Sequence, residues 1–207
     1  MMADAELPIF ELPVVLLPGE RIPLHIFEER YKRMVGRAVD QDEPFGIVLH
    51  DDDGARSVGC TARVDEVLEQ FDDGRMNIVV SGESPFRVLD RFEAPDYPAG
   101  EVELIGDDDV PPIDEDAAGA ARDAFAELAE RATGERPDTD ELETASAYAI
   151  AARVELPVET KQRLLESRDE DERMQVLANA LKAVEKALER AEESAERART
   201  NGKVEFG

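Results

Sequence analysis

The residue pattern changes once along this 207-residue chain, and that change commits it to two kinds of architecture joined end to end. Up to about Ile105 the apolar stretches are short, rich in Val, Ile, Leu and Phe, and punctuated by Pro and Gly, as in strands and turns. Beyond that point Ala, Glu and Arg dominate at helical spacing. Between the two, Gly106-Asp107-Asp108-Asp109-Val110-Pro111-Pro112 continues neither, because proline lacks the N–H that helix and sheet ladders need. The expected organisation is a strand-rich unit over 6–106, a linker over 107–113 and a helical unit over 114–200.

In the first unit, Leu7–Phe10, Val14–Leu17 and Ile22–Phe27 read as extended segments, with Pro18-Gly19 as a turn and Pro23 placing its run at a sheet edge or bulge. Tyr31, Met34, Val35 and Ala38 recur at spacings of three, one and three, which predicts a single amphipathic helix over 28–39. Strands follow over 45–50, 58–64 and 67–71. Asp72-Asp73-Gly74 then supplies a hairpin turn, with returns over 76–80 and 86–89 and a last strand over 97–105. Six or more short strands with one inserted helix predict a closed or nearly closed small β-barrel, since closure removes exposed edges.

In the second unit, helices are expected over 114–132 and from Leu142 to near Leu156, where Pro157 disfavours helical geometry before it and opens a short segment holding Leu164 and Leu165. A last helix over 169–199 carries Met174, Leu177, Leu181, Val184, Leu188, Ala191, Ala195 and Ala198 in a heptad-like seam. One use of that seam is a homodimeric coiled coil, which would make the protein a structural or assembly component. The favoured use is packing on its own bundle, because the seam weakens to alanine after Leu188. The class is thus α+β: a small barrel with one inserted helix, then a helical bundle ending in a long helix.

The formal net charge is −26, from 24 basic and 50 acidic residues, and such a surface repels phosphate backbones and anionic lipid. Neither nucleic acid nor membrane is an expected partner. With 19 Arg against 5 Lys, the acid excess also fits a salt-rich cytoplasm. The amino terminus carries acids where a secretory signal needs basic residues, and a single cysteine excludes an internal disulfide, so a cytoplasmic location is expected.

Catalytic chemistry has little footing. Cys60, His25 and His50 are the residues suited to nucleophile or proton-transfer work, and a Cys60-dependent hydrolase is the weakest of three functional readings because Cys60 sits in an apolar strand. Gly82-Glu83-Ser84-Pro85-Phe86 begins like a nucleophile elbow but lacks its closing glycine. Asp51-Asp52-Asp53 and Asp107-Asp108-Asp109 lack the alternate spacing of a calcium loop and read as solvated turns. No metal site and no cofactor are expected, and the chain contains no G-x-x-x-x-G-K-[ST] phosphate loop.

Leu7-Pro8-Ile9-Phe10-Glu11-Leu12-Pro13, then Leu17-Pro18-Gly19-Glu20-Arg21-Ile22-Pro23-Leu24-His25-Ile26-Phe27-Glu28-Glu29-Arg30-Tyr31, resembles the amino-terminal substrate-binding domain of Lon proteases, especially its stand-alone bacterial relatives. Phe45–Leu49, Val58–Ala62, the Asp72-Asp73-Gly74 turn, Val80–Glu83, Phe86–Val88 and Leu156–Glu166 continue the resemblance in order. It implies a PUA-like barrel joined to a helical bundle and a non-catalytic module that engages unfolded proteins or exposed apolar segments as adaptor or holdase. It does not extend to the ATPase and peptidase of that family, of which the sequence carries no motif. On this reading Phe27, Tyr31, Phe45 and Phe86 line an apolar groove and Arg30 and Arg87 orient the bound chain; core packing of the aromatics and an internal ion pair for the arginines are the simpler roles.

Overall fold

The computed structural model describes residues 5–106 and 115–201, so the expected linker over 107–113 lies outside the described residues. The fold is α+β, a six-stranded sheet followed by helices. Strand β1 (Ala5–Leu12) runs parallel to β3 (Phe45–Asp51) and antiparallel to β6 (Pro98–Leu104). Between β1 and β3 the chain forms β2 (Arg21–Ile26) and helix α1 (Glu29–Gln41), long enough to make the crossover that a parallel pair requires. Strand β4 (Gly54–Gln70) lies between β3 and β5 (Met76–Glu93). The first third of β5 also pairs with β2 and its last part with β6. The ladders thus run β5, β4, β3, β1, β6 and back to β5, with β2 attached outside the ring.

Two glycines make room for the side chain that fills this ring. A Cβ on Gly46 would fall 2.5 Å from Phe86 Cζ, and one on Gly59 would fall 2.8 Å from the same atom. Phe86 therefore lies fully buried with Leu7, Ile9, Val48 and Val102. The main core, on the other side of the strands, holds Phe10, Tyr31, Met34, Phe45, Ile47 and Ile78 and runs without a break into Leu164, Leu165, Met174, Leu177 and Leu181 of the helical half.

The stretch expected as a strand over 14–17 is instead a buried loop: Val15, Leu16 and Leu17 are at most 4 % exposed yet join no ladder. Prolines 13 and 18 bracket it, and the Leu17 N–H is taken by the Glu20 carboxylate at 3.0 Å, so a side chain replaces the neighbouring strand. The segments over 58–64 and 67–71 form the single bulged strand β4, and the returns after Asp72-Asp73-Gly74 form the single strand β5. Gly74 takes φ +82° in that turn.

In the second half, α2 (Glu115–Thr133) packs along α6 (Glu170–Asn201). The one helix expected around 142–156 is two short ones, α3 (Thr139–Glu143) and α4 (Ala147–Ala151). Ser146 breaks it: its hydroxyl accepts the Ala149 N–H at 3.2 Å as an N-cap, while Glu170 takes the Ala147 N–H at 2.6 Å. Pro157 caps α5 (Val158–Glu166) as expected. Asp169 starts α6 by accepting from Asp171 N at 2.8 Å and Glu172 N at 3.1 Å. Arg173, 1 % exposed, is held by Glu170 at 2.7 Å and the Ser167 carbonyl at 2.9 Å, with its guanidinium 4.7 Å from the Tyr148 ring centre. The seam of α6 is buried in its own bundle through Leu181, half-buried at Val184 and exposed at Leu188.

Candidate functional site

The outer face of the arm formed by β2, β5 and β4 gathers exposed apolar and polar side chains in ordered rows. In an extended chain alternate residues face opposite sides. Ile22, Leu24 and Ile26 pack toward the core, so Arg21, Pro23, His25 and, one residue past the strand, Phe27 face outward. Across from them the register sets Ser81, Val79 and Asn77 of β5.

Two polar rows cross the arm. Asp65 of β4 accepts from Arg21 Nε at 2.7 Å and from Ser81 Oγ at 2.8 Å. Asn77 donates its amide to Glu69 at 2.9 Å, which leaves its Oδ1 to face His25 Nδ1 at 2.6 Å. That network assigns the His25 proton to Nδ1 in the neutral ring and leaves Nε2 toward solvent. The His25 ring stacks on Phe27, with centroids 5.9 Å apart at 21°, and meets Phe71 edge-on at 6.3 Å. Phe27 is 61 % exposed and Leu68, carried out of register by a β4 bulge, 55 %. Pro23, His25, Leu68, Glu69 and Asn77 line an open depression of about 490 Å³. The face thus sets exposed apolar side chains beside polar rows that are hydrogen-bonded to one another.

The six groove residues expected from sequence do not share one exposed face. Phe45 and Phe86 are fully buried and Tyr31 is 3 % exposed, so all three are core, the simpler of the two roles. Arg30 bridges Glu28 at 3.1 Å in a half-exposed pair and lies 4.5 Å over the Tyr31 ring. Arg87 is exposed on β5, where the register sets it opposite Glu103. Of these four aromatics Phe27 alone reaches the surface. Its ring partner His25, and Leu68 and Phe71 on the same arm, were not in the expected set, although the alternation Ile22, Leu24, Ile26 was a sufficient signal for His25.

Cys60 is fully buried, and burial pushes its thiol up to about 12, far from the thiolate a nucleophile needs at neutral pH. Both the enclosure and the raised pKa weigh against the Cys60 hydrolase reading. Asp51 lies below the usual carboxylate range chiefly because Arg56 donates to it, at 2.7 Å. Among the described residues no three His, Cys, Asp or Glu side chains form a group that could hold a metal ion. Among them too, no helix is long and apolar enough to cross a membrane. A larger cleft, about 770 Å³, lies between the β3–β4 turn and α5, where Pro13, Leu49 and Val158 alternate with ionic side chains such as Asp51, Arg56, Glu159 and Arg163. His50 there meets Glu11 at 3.0 Å, and Arg56 meets Asp51.

Residues 6–183 match the family model described as the ATP-dependent protease La (LON) substrate-binding domain. The chain is 28 % identical over 192 residues to the Lon protease of Paraburkholderia phytofirmans (strain DSM 17436 / LMG 22146 / PsJN), covering 84 % of this chain and 24 % of that protein. It is 28 % identical over 196 residues to the Lon protease of Anaeromyxobacter dehalogenans (strain 2CP-C), covering 86 % and 23 %. It therefore spans about a quarter of the length of these curated relatives. Among solved structures, the Lon N-terminal domain protein from Xanthomonas campestris superposes with a TM-score of 0.62 at 26 % identity, over 84 % of this chain and 96 % of that one. The N-terminal domain of Mycobacterium avium complex Lon protease shares the fold, with a TM-score of 0.68 at 19 % identity over 86 % and 98 %.

Proposed function

The chain belongs to the LON substrate-binding domain family, and from that premise we propose that it is a non-catalytic module that binds exposed apolar segments of other proteins, as adaptor or holdase. The observation that carries this reading is Phe27, 61 % exposed just past the end of β2 and stacked on His25. An aromatic ring held in place at low entropy cost and left in water is an anchor for a partner rather than a contributor to the fold. The ring of ladders with β2 outside it supports the PUA-like barrel architecture implied by the resemblance. The reading includes a cytoplasmic setting, in keeping with the single cysteine.

Burying the Phe27 ring on a client is worth about 1.5–3 kcal/mol, tenfold or more in affinity. Fluorescence anisotropy with a reduced, carboxymethylated and labelled protein should show saturable binding that the native form of the same protein does not give. Phe27→Ser should weaken it at least tenfold while leaving the melting temperature unchanged. No binding, or equal binding by Phe27→Ser, would overturn the proposal.

A further inference from the structure

Resting on that reading, we infer that the client is taken as an added strand on the free edge of β2, so that the module selects extended rather than helical segments. The hydrogen-bond parity of β2 carries this. Gly82 donates its N–H to the Glu20 carbonyl at 2.9 Å, and the β2–β5 register continues from that pair. In an antiparallel ladder, hydrogen-bonded and non-hydrogen-bonded pairs alternate. Ile22, Leu24 and Ile26 therefore turn their backbone groups to Val80, Ile78 and Met76, and Arg21, Pro23 and His25 turn theirs away from β5. Among the described residues no strand lies on that side of β2. None of the hydrogen bonds found among them meets these outward groups.

The outward edge offers three carbonyls, from Arg21, Pro23 and His25, but two N–H groups, because Pro23 has none. Such an edge receives a strand and blunts indiscriminate pairing at once. The occupant is a segment of another protein rather than a second copy. Two β2 edges pairing about Pro23 would set carbonyl against carbonyl with no donor between them. Two chains of net charge −26 also repel. Glu66 and Glu69, exposed on the same arm, favour a client whose apolar residues are interspersed with lysine or arginine. Every second side chain of that strand lies on the face that carries His25 and Phe27, which joins the edge and the anchor into one site.

The test uses a labelled ten-residue peptide of alternating valine and lysine and the same peptide N-methylated at two consecutive central residues, so that either edge loses a donor. The methylated peptide should bind at least tenfold more weakly. Arg21→Pro removes an edge N–H that β5 does not use, and it should bind the unmethylated peptide at least fivefold more weakly than Arg21→Ala. Equal binding of the two peptides, or binding of the unfolded protein but of neither peptide, would overturn strand addition and leave the Phe27 face standing. Failure of the unfolded protein to bind at all would remove both. A concentration-dependent dimer lost in Arg21→Pro would show that the edge receives a second copy, contradicting the inference.

Discussion

Lys161 of α5 and Glu20 of the loop after β1 form an enclosed ion pair that joins the helical half to the strand half, their side chains 13 % and 11 % exposed. Glu20 uses its other oxygen to hold the Leu17 N–H at 3.0 Å, and Lys161 also reaches the Val15 carbonyl at 3.4 Å. One side-chain pair thus substitutes for the missing ladder of the 13–20 loop. Breaking an enclosed pair by removing one partner strands the other charge, so Lys161→Met should destabilise by about 3 kcal/mol or more. Adding Glu20→Gln, which keeps an acceptor for Leu17, should recover part of that loss in urea denaturation. Additive losses would contradict a coupled pair.

Gly59 and Gly36 should respond to alanine with opposite signs. A Cβ at Gly59 would sit 2.4 Å from the Ile47 carbonyl oxygen and 2.7 Å from Val48 Cγ1, so Gly59→Ala must move a strand and should cost about 1–3 kcal/mol or more. At Gly36, within α1, nothing lies within 4 Å of the added carbon, and Gly36→Ala should gain up to about 1 kcal/mol through helix propensity. Thermal unfolding of both variants reads the signs directly.

The Cys60 thiol should resist alkylation in the folded protein and react only as the chain unfolds. Because burial raises its folded pKa from 9.0 to about 12, the native state holds the proton more tightly than the unfolded state does. Its contribution to stability is full below pH 9 and is lost as pH rises from there toward 12. Denaturation curves of wild type and Cys60→Ala should diverge in their pH dependence over that window. Rapid modification by iodoacetamide under native conditions at pH 7.5 would count against an enclosed thiol.

Leu181 and Leu188 occupy the same seam of α6 but should behave differently. Leu181 is fully buried against its own bundle, and Leu181→Glu should unfold the helical half by placing a charge there. Leu188 is 43 % exposed, and Leu188→Glu should change stability by less than about 0.5 kcal/mol. Circular dichroism melts distinguish them, and sedimentation of Leu188→Glu beside wild type tests whether the exposed stretch also serves self-association.

Much of this architecture was legible where local pattern decides it. The three-one-three spacing at Tyr31, Met34, Val35 and Ala38 gave α1, the Asp72-Asp73-Gly74 turn gave the β4–β5 hairpin, and Pro157 gave the start of α5. What failed depends on partners far away in sequence. Val14–Leu17 has strand composition, but its Val15 carbonyl is met by Lys161, 146 residues on, and its Leu17 N–H by the Glu20 carboxylate that the same lysine holds. Tyr31, Phe45 and Phe86 looked the same as Phe27 by composition, and only the third dimension separates three core rings from one exposed ring. Lys161 lies 141 residues from Glu20, a separation that no periodicity reports.

Hydrogen exchange with and without a saturating unfolded client reads the binding face with no substitution at all. Protection should rise over residues 21–27 and in the adjoining stretches of β4 and β5, over 65–71 and 76–81, while the distal turns of α6 and the cleft beside α5 stay unchanged. Protection confined to α5, α6 or the β3–β4 turn, with 21–27 exchanging as in the free protein, would contradict the assignment of client binding to the Phe27 arm.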